Sequence, residues 1–173
     1  RLIGALAALI AAPLDAGSVW FQPSSLQITS IDVGNRVSNV IPASARAALN
    51  IRFNDLHRGV DLALWLRSVV EQHADRVAIE TAISGEAFLT PPGPEIATLA
   101  GAIERASGVT PKLDTSGGTS DARFIAGFCP VAEFGLVGAS MHQADENVPI
   151  AELVALKEIY RAILGAFLER DAL

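Results

Sequence analysis

Residues 46–54 read Arg46-Ala47-Ala48-Leu49-Asn50-Ile51-Arg52-Phe53-Asn54. Ala47, Leu49, Ile51 and Phe53 fall on one side of an extended chain, and Asn50, Arg52 and Asn54 on the other. Successive side chains of a strand point to opposite faces, so this period of two predicts a half-buried strand. Upstream, residues 25–33 make a second strand. Leu26 and Ile28 keep one phase and Ile31 and Val33 the other, which predicts a bulge near Ser30. Residues 34–45, rich in Gly, Asn, Ser and Pro, form the loop between the two strands.

Working outward, Leu2, Leu6, Leu9 and Ile10 stripe a helix over 2–12 that Pro13 stops. Leu62, Trp65, Leu66 and Val69 stripe another over 58–73. A short strand is expected at Val77 and Ile79. The order α-β-β-α-β leaves a sheet one strand short of a compact two-helix sandwich. Residues 88–93, Phe-Leu-Thr-Pro-Pro-Gly, break the chain. Beyond them Pro94 opens a helix that Gly108 closes, with Ile96, Leu99 and Ile103 inward. Strand, Gly-rich loop, short helix, a strand at Val131–Phe134 and a final helix follow. Leu153, Leu156, Tyr160, Ile163 and Phe167 stripe that last helix. The expected class is α/β with an α+β first domain, in two parts, 1–86 and 87–173.

The chain has 173 residues, a formal net charge of −6, half of its residues hydrophobic and 18% charged. Its mean hydropathy of +0.37 is high, so it has either a large core or apolar surface to hide against something else. The acidic balance argues against a nucleic-acid partner, and no Lys/Arg run suggests an anionic membrane. One cysteine, Cys129, cannot form an internal disulfide and fits a reducing cytoplasm; its apolar setting predicts a packed thiol. Arg1 and the apolar run after it also fit a secretory signal. Against that, the run passes into Pro13-Leu14-Asp15 without a cleavage pattern, and it is shorter than the ~20 residues a spanning helix needs.

The chemistry concentrates in residues 115–146. Thr115, Ser116, Gly117, Gly118, Thr119 and Ser120 combine hydroxyl donors with a glycine pair ahead of a short helix through Arg123, Phe124 and Ile125. That pattern suits an anion site and, more commonly, a capped helix after a turn. His142, after a small-residue loop and before Asp145 and Glu146, suits a metal ligand or general base, but a lone His is more often a hydrogen-bonded surface histidine. No second His lies nearby, and a single imidazole does not hold zinc, which takes about three or four protein ligands. His57 and His73 read as solvated.

Ser-Gly-Gly-Thr-Ser-Asp-Ala-Arg-Phe-Ile at 116–125, Val-Ala-Glu-Phe-Gly at 131–135 and Met-His-Gln-Ala-Asp-Glu at 141–146 carry a resemblance. So do Asn-Val-Ile-Pro at 39–42, Asn-Ile-Arg-Phe at 50–53 and Ser-Gly-Glu-Ala-Phe-Leu-Thr at 84–90. In this order the segments resemble the C-terminal portion of the di-zinc aminoacylase and carboxypeptidase family, most closely its desuccinylase branch. The resemblance implies that residues 1–86 are a lid or dimerisation domain lacking its first strand. It implies that 87–173 are the αβαβα end of a zinc-binding catalytic domain. It implies a cytoplasmic homodimer, joined through the lid, that hydrolyses N-succinyl-diaminopimelate with two zinc or cobalt ions.

His142 matches a metal ligand of that family. Asn39, Arg52, Ser84, Gly118 and Thr119 match substrate-binding positions, with Arg52 taking a carboxylate. The resemblance places the other ligands and the Glu base upstream of Arg1, so no catalytic base is expected within this chain, which supplies one ligand and is expected to be inactive by itself. Two departures bear on substrate contacts: Ala122 where many members carry Gly, and Gly138 where many carry Asn. Asp145 and Glu146 either orient the imidazole or are exposed acids. Two rival readings are a deacetylase or aminoacylase of different acyl preference and a non-catalytic dimerisation module. A His142 set in bulk solvent, away from the glycine pair and any acid-lined hollow, would count against the hydrolase reading.

Overall fold

The computed structural model describes residues 1–115 and 120–168. The chain divides into two compact units, the first of Arg1–Leu89 with Thr115, the second of Thr90–Asp114 with the described residues from Ser120 onward.

In the first unit, helix α1 (Leu2–Ala11) precedes strands β1 (Ser25–Asp32) and β2 (Arg46–Arg52), and helix α2 (Gly59–Glu71) follows. β1 and β2 pair antiparallel, Leu26 opposite Ile51 and Ile28 opposite Leu49. The register then shifts between Ile28 and Ser30, so that Ile31 lies opposite Ala47. That bulge is the one expected from the phase change in the sequence. One extra residue on β1 turns Ile31 back to the face of Ala47, Leu49 and Ile51, although Ile31 itself is 54% exposed. Exposure along β2 alternates residue by residue.

α1 packs on β1 and on α2. It buries Ala5, Leu6 and Leu9, the last only 1% exposed, while α2 adds Leu62 and the buried Gly59. Each fully buried leucine stabilises the unit by about 1.5–3 kcal/mol. Gly59 is small for a reason: a Cβ there would lie 2.8 Å from Ile83 Cγ2. Its N–H, one of the free donors at the start of α2, is taken by the Glu86 carboxylate at 3.0 Å. On the other side of α1, Ile3 is 79% exposed. A helix apolar on both sides is built to be covered on both.

In the second unit, α3 (Pro94–Ser107) packs on α5 (Ile150–Leu168), with the short α4 (Ala122–Ile125) between them in sequence. Pro94 opens α3 and Gly108, at φ 73°, closes it in the left-handed conformation that glycine adopts without penalty. Among the described residues of this unit, Ala102, Ile103, Ala122 and Ile159 are buried.

Several expectations are corrected. Among the described residues only β1 and β2 pair, so the expected strands at Val77–Ile79, before Thr115 and at Val131–Phe134 are extended chain without a ladder. A strand requires a backbone neighbour. Val131 instead meets one side chain, donating its N–H to Thr90 Oγ1 at 3.0 Å while that hydroxyl donates to Val131 O at 2.6 Å. On α5 the inward position is Ile159; Leu153 and Tyr160, expected inward, are exposed, Tyr160 donating its hydroxyl to Phe134 O. Cys129 is exposed, not packed. Asn54, expected on the polar face of its strand, is 3% exposed. β2 ends at Arg52, so alternation no longer governs position 54.

Candidate functional site

Asn39, Arg52 and Ser84 belong to the first unit and are all exposed. Arg52 is the last residue of β2, opposite Ser25, and the strand's alternation sends its side chain outward with that of Asn50. A guanidinium so placed is available to grip a planar carboxylate through two N–H groups. Asn39 lies in the 34–45 loop, where the turn is closed by a different asparagine. Asn35 Nδ2 donates to Val40 O at 2.8 Å, and Asn35 Oδ1 accepts from Val37 N at 3.1 Å. Asn39 is thereby free of the turn-building role its residue type suggests. Ser84 sits in the extended segment whose Glu86 caps α2. Gly118 and Thr119, and with them the glycine pair and its anion-site reading, lie outside the described residues. At the near edge of that loop, Ser120 Oγ accepts from Ala122 N at 3.2 Å, a local cap on the start of α4. Arg123 lies over the Phe124 ring, 4.7 Å from its centroid.

His142 belongs to the second unit. It is exposed, and its φ is 63°. Its backbone N–H donates to Glu146 Oε2 at 3.3 Å, so Glu146 holds the residue by its main chain. Among the described residues the imidazole ring has no hydrogen bond, and no three His, Cys, Asp or Glu side chains gather to hold a metal ion. Zinc takes about three or four protein ligands, and no such set gathers among the described residues. His142 in solvent is the outcome that counts against the hydrolase reading; the glycine pair from which its distance is judged lies outside the described residues.

Sequence reasoning missed a buried polar cluster in the first unit. The Asp15 side chain is 7% exposed. It accepts from Gly17 N at 2.7 Å, Ser24 N at 3.1 Å, Asn54 Nδ2 at 2.8 Å and lies 2.9 Å from His57 Nε2. Burial works to raise the Asp15 pKa. It is outweighed by hydrogen bonds from the Ser24 side chain, from the Gly17 and Ser24 N–H groups and from Asn54, which hold the carboxyl well below the usual carboxylate range. His57, expected in solvent, is therefore part of the cluster. His73 is likewise half-buried, its Nδ1 2.9 Å from Val69 O. Asp-x-Gly at 15–17 is an Asx-turn signal legible in the sequence, but Asn54 and His57 are about forty residues further on.

The whole chain can now be set beside known proteins. A family model described as peptidase family M20/M25/M40 matches residues 3–166, and the chain belongs to that family. Membership rests on nearly the full length, so it does not depend on where His142 points. Among curated relatives, a succinyl-diaminopimelate desuccinylase of Acidiphilium cryptum is 64% identical over 164 residues, covering 95% of this chain and 44% of the relative. Proteins of the same name are 59% identical in Gluconacetobacter diazotrophicus, over 98% of this chain and 43% of the relative, and 56% in Gluconobacter oxydans, over 96% and 44%. The chain thus spans rather less than half the length of these relatives.

Proposed function

We infer that this sequence works as the C-terminal part of a succinyl-diaminopimelate desuccinylase, a metal-dependent amide hydrolase of lysine and diaminopimelate biosynthesis. The observation that carries the reading is the 64% identity to a protein of that name across 95% of the chain. In the reaction, water adds to the amide carbonyl of N-succinyl-diaminopimelate, the C–N bond breaks, and the amine leaves with a proton, giving succinate and diaminopimelate. Bound zinc or cobalt supplies Lewis acidity toward that carbonyl and acidifies the attacking water.

His142 contributes one metal ligand. Arg52 takes a substrate carboxylate, and Asn39, Ser84, Gly118 and Thr119 hold the substrate through amide, hydroxyl and backbone donors. Residues 1–86 act as the lid and dimerisation domain, and 87–173 as the end of the zinc-binding domain. The exposed apolar side of α1 supports a homodimer, since Ile3 and Ile10 are well exposed in the single chain. Among the described residues no helix is long and apolar enough to cross a membrane.

A second reading, the same chemistry on another acyl group, is favoured by Gly138, which offers no side chain to a substrate. The deciding experiment measures hydrolysis of succinyl and acetyl substrates by the two-domain enzyme containing this sequence. Preference for the succinyl substrate is expected, and preference for the acetyl one refutes the assignment. The 173-residue chain with added zinc or cobalt is expected to show no turnover; activity there would overturn the single-ligand reading. Zinc-independent dimerisation without any hydrolysis by the two-domain protein would identify a non-catalytic module instead.

A further inference from the structure

Residues 138–147 form a loop drawn shut at its neck by one side chain. Ser140 Oγ donates to Asn147 O at 2.8 Å, and Asn147 N donates back to Ser140 Oγ at 3.0 Å. The hydroxyl thus takes the part of a backbone group, closing the chain on itself seven residues apart. Inside the closure lie His142 and Asp145, at φ 63° and 61°, the two non-glycine residues with positive φ among the described residues. Residues with a Cβ enter that left-handed region infrequently, His and Asp more readily than most, and the loop's bonds select it here.

The surroundings here are specific. Gln143 N donates to Ser140 O at 3.1 Å, Met141 N to Gly138 O at 3.1 Å, and Asn147 Nδ2 to Asp145 O at 2.8 Å. Met141 folds back over Gly138, where a Cβ would come within 2.5 Å of its Cε. Most of these bonds involve Ser140 or Asn147, and together with Glu146 Oε2, which accepts from His142 N at 3.3 Å, they hold His142 in its left-handed conformation.

We propose that Ser140 is a positioning residue: its hydroxyl clasps Asn147 and so fixes the backbone from which the His142 imidazole is presented to metal. The proposal rests on the reading of His142 as a ligand. A ligand nitrogen must be placed to within about 0.2 Å of the metal–ligand distance. An exposed imidazole with no bond to its ring has little besides its main chain to hold it there.

The test uses the two-domain enzyme with Ser140→Ala, Ser140→Thr and His142→Ala. Zinc binding is measured by calorimetry, and the Co(II)-loaded visible spectrum reports ligand geometry. Losing support for a ligand costs metal affinity about tenfold or more. Ser140→Ala is expected to weaken one of the two zinc ions by that factor and alter the cobalt spectrum, with Ser140→Thr close to the parent. Parent-like binding and spectrum in Ser140→Ala, while His142→Ala loses a metal, overturn the clasp and leave the ligand reading standing. Equal losses in Ser140→Ala and Ser140→Thr also overturn it, because the hydroxyl is then not what matters. Loss of both metals alike points to general unfolding and overturns a local role. His142→Ala retaining both metals refutes the ligand reading itself, and the clasp with it.

Discussion

Replacing Asp15 by Ala removes the acceptor on which Gly17 N, Ser24 N and Asn54 Nδ2 converge, with His57 Nε2 2.9 Å away. Hydrogen bonds to a charged group contribute about 1.5–3 kcal/mol each, and they do not add. Two of these donors are backbone N–H groups in a loop, which water can reach once the carboxylate is gone. Asn54 keeps a second acceptor, Gln22 O at 3.0 Å. Returning the carboxylate to water in the unfolded parent offsets part of the gain. The net loss expected is about 3 kcal/mol. Both tryptophans, Trp20 and Trp65, lie in the first unit, so urea unfolding followed by tryptophan fluorescence reads the right part of the chain. The pH dependence adds a second check. The folded pKa of Asp15 is depressed, so its contribution is fully present above the unfolded value of about 3.9 and is lost as pH falls toward the folded one. The gap between parent and Asp15→Ala should be constant above about pH 5 and shrink steadily below about pH 4. A variant within about 0.5 kcal/mol of the parent at pH 7, or a gap unchanged down to pH 2, would refute the hub.

Leu9→Ala empties the best-buried position of α1 and is expected to cost about 3 kcal/mol in the same urea titration; Ile3→Ala, on the exposed side, should cost less than about 0.5 kcal/mol in the monomer. In the two-domain enzyme, Arg52→Lys keeps the charge and loses the two-pronged grip. It is expected to lower kcat/KM for the succinyl substrate by about tenfold or more, chiefly through KM. An unchanged KM would remove Arg52 from the substrate site.

Periodicity within single segments was enough to place α1, α2, α3, α5 and both strands, and even the bulge between Ile28 and Ser30. Those features depend on side chains a few residues apart, which a linear pattern records faithfully. The motif segments likewise carried the family, because the order of short chemical signatures survives without knowledge of shape. Other features required the folded chain. Asp15 meets Asn54 and His57 across about forty residues, and nothing in Asp15's own neighbourhood announces which donors will arrive. Ile159 is buried and Tyr160 exposed because packing against the rest of the unit, which no linear stripe records, sets the rotation of α5. Val131–Phe134 has the composition of a strand yet its described partners are the side chains of Thr90 and Tyr160, since a ladder exists only where a second backbone comes alongside. Ser140 and Asn147 read as ordinary loop residues until the loop closes and one hydroxyl stands in for a backbone group.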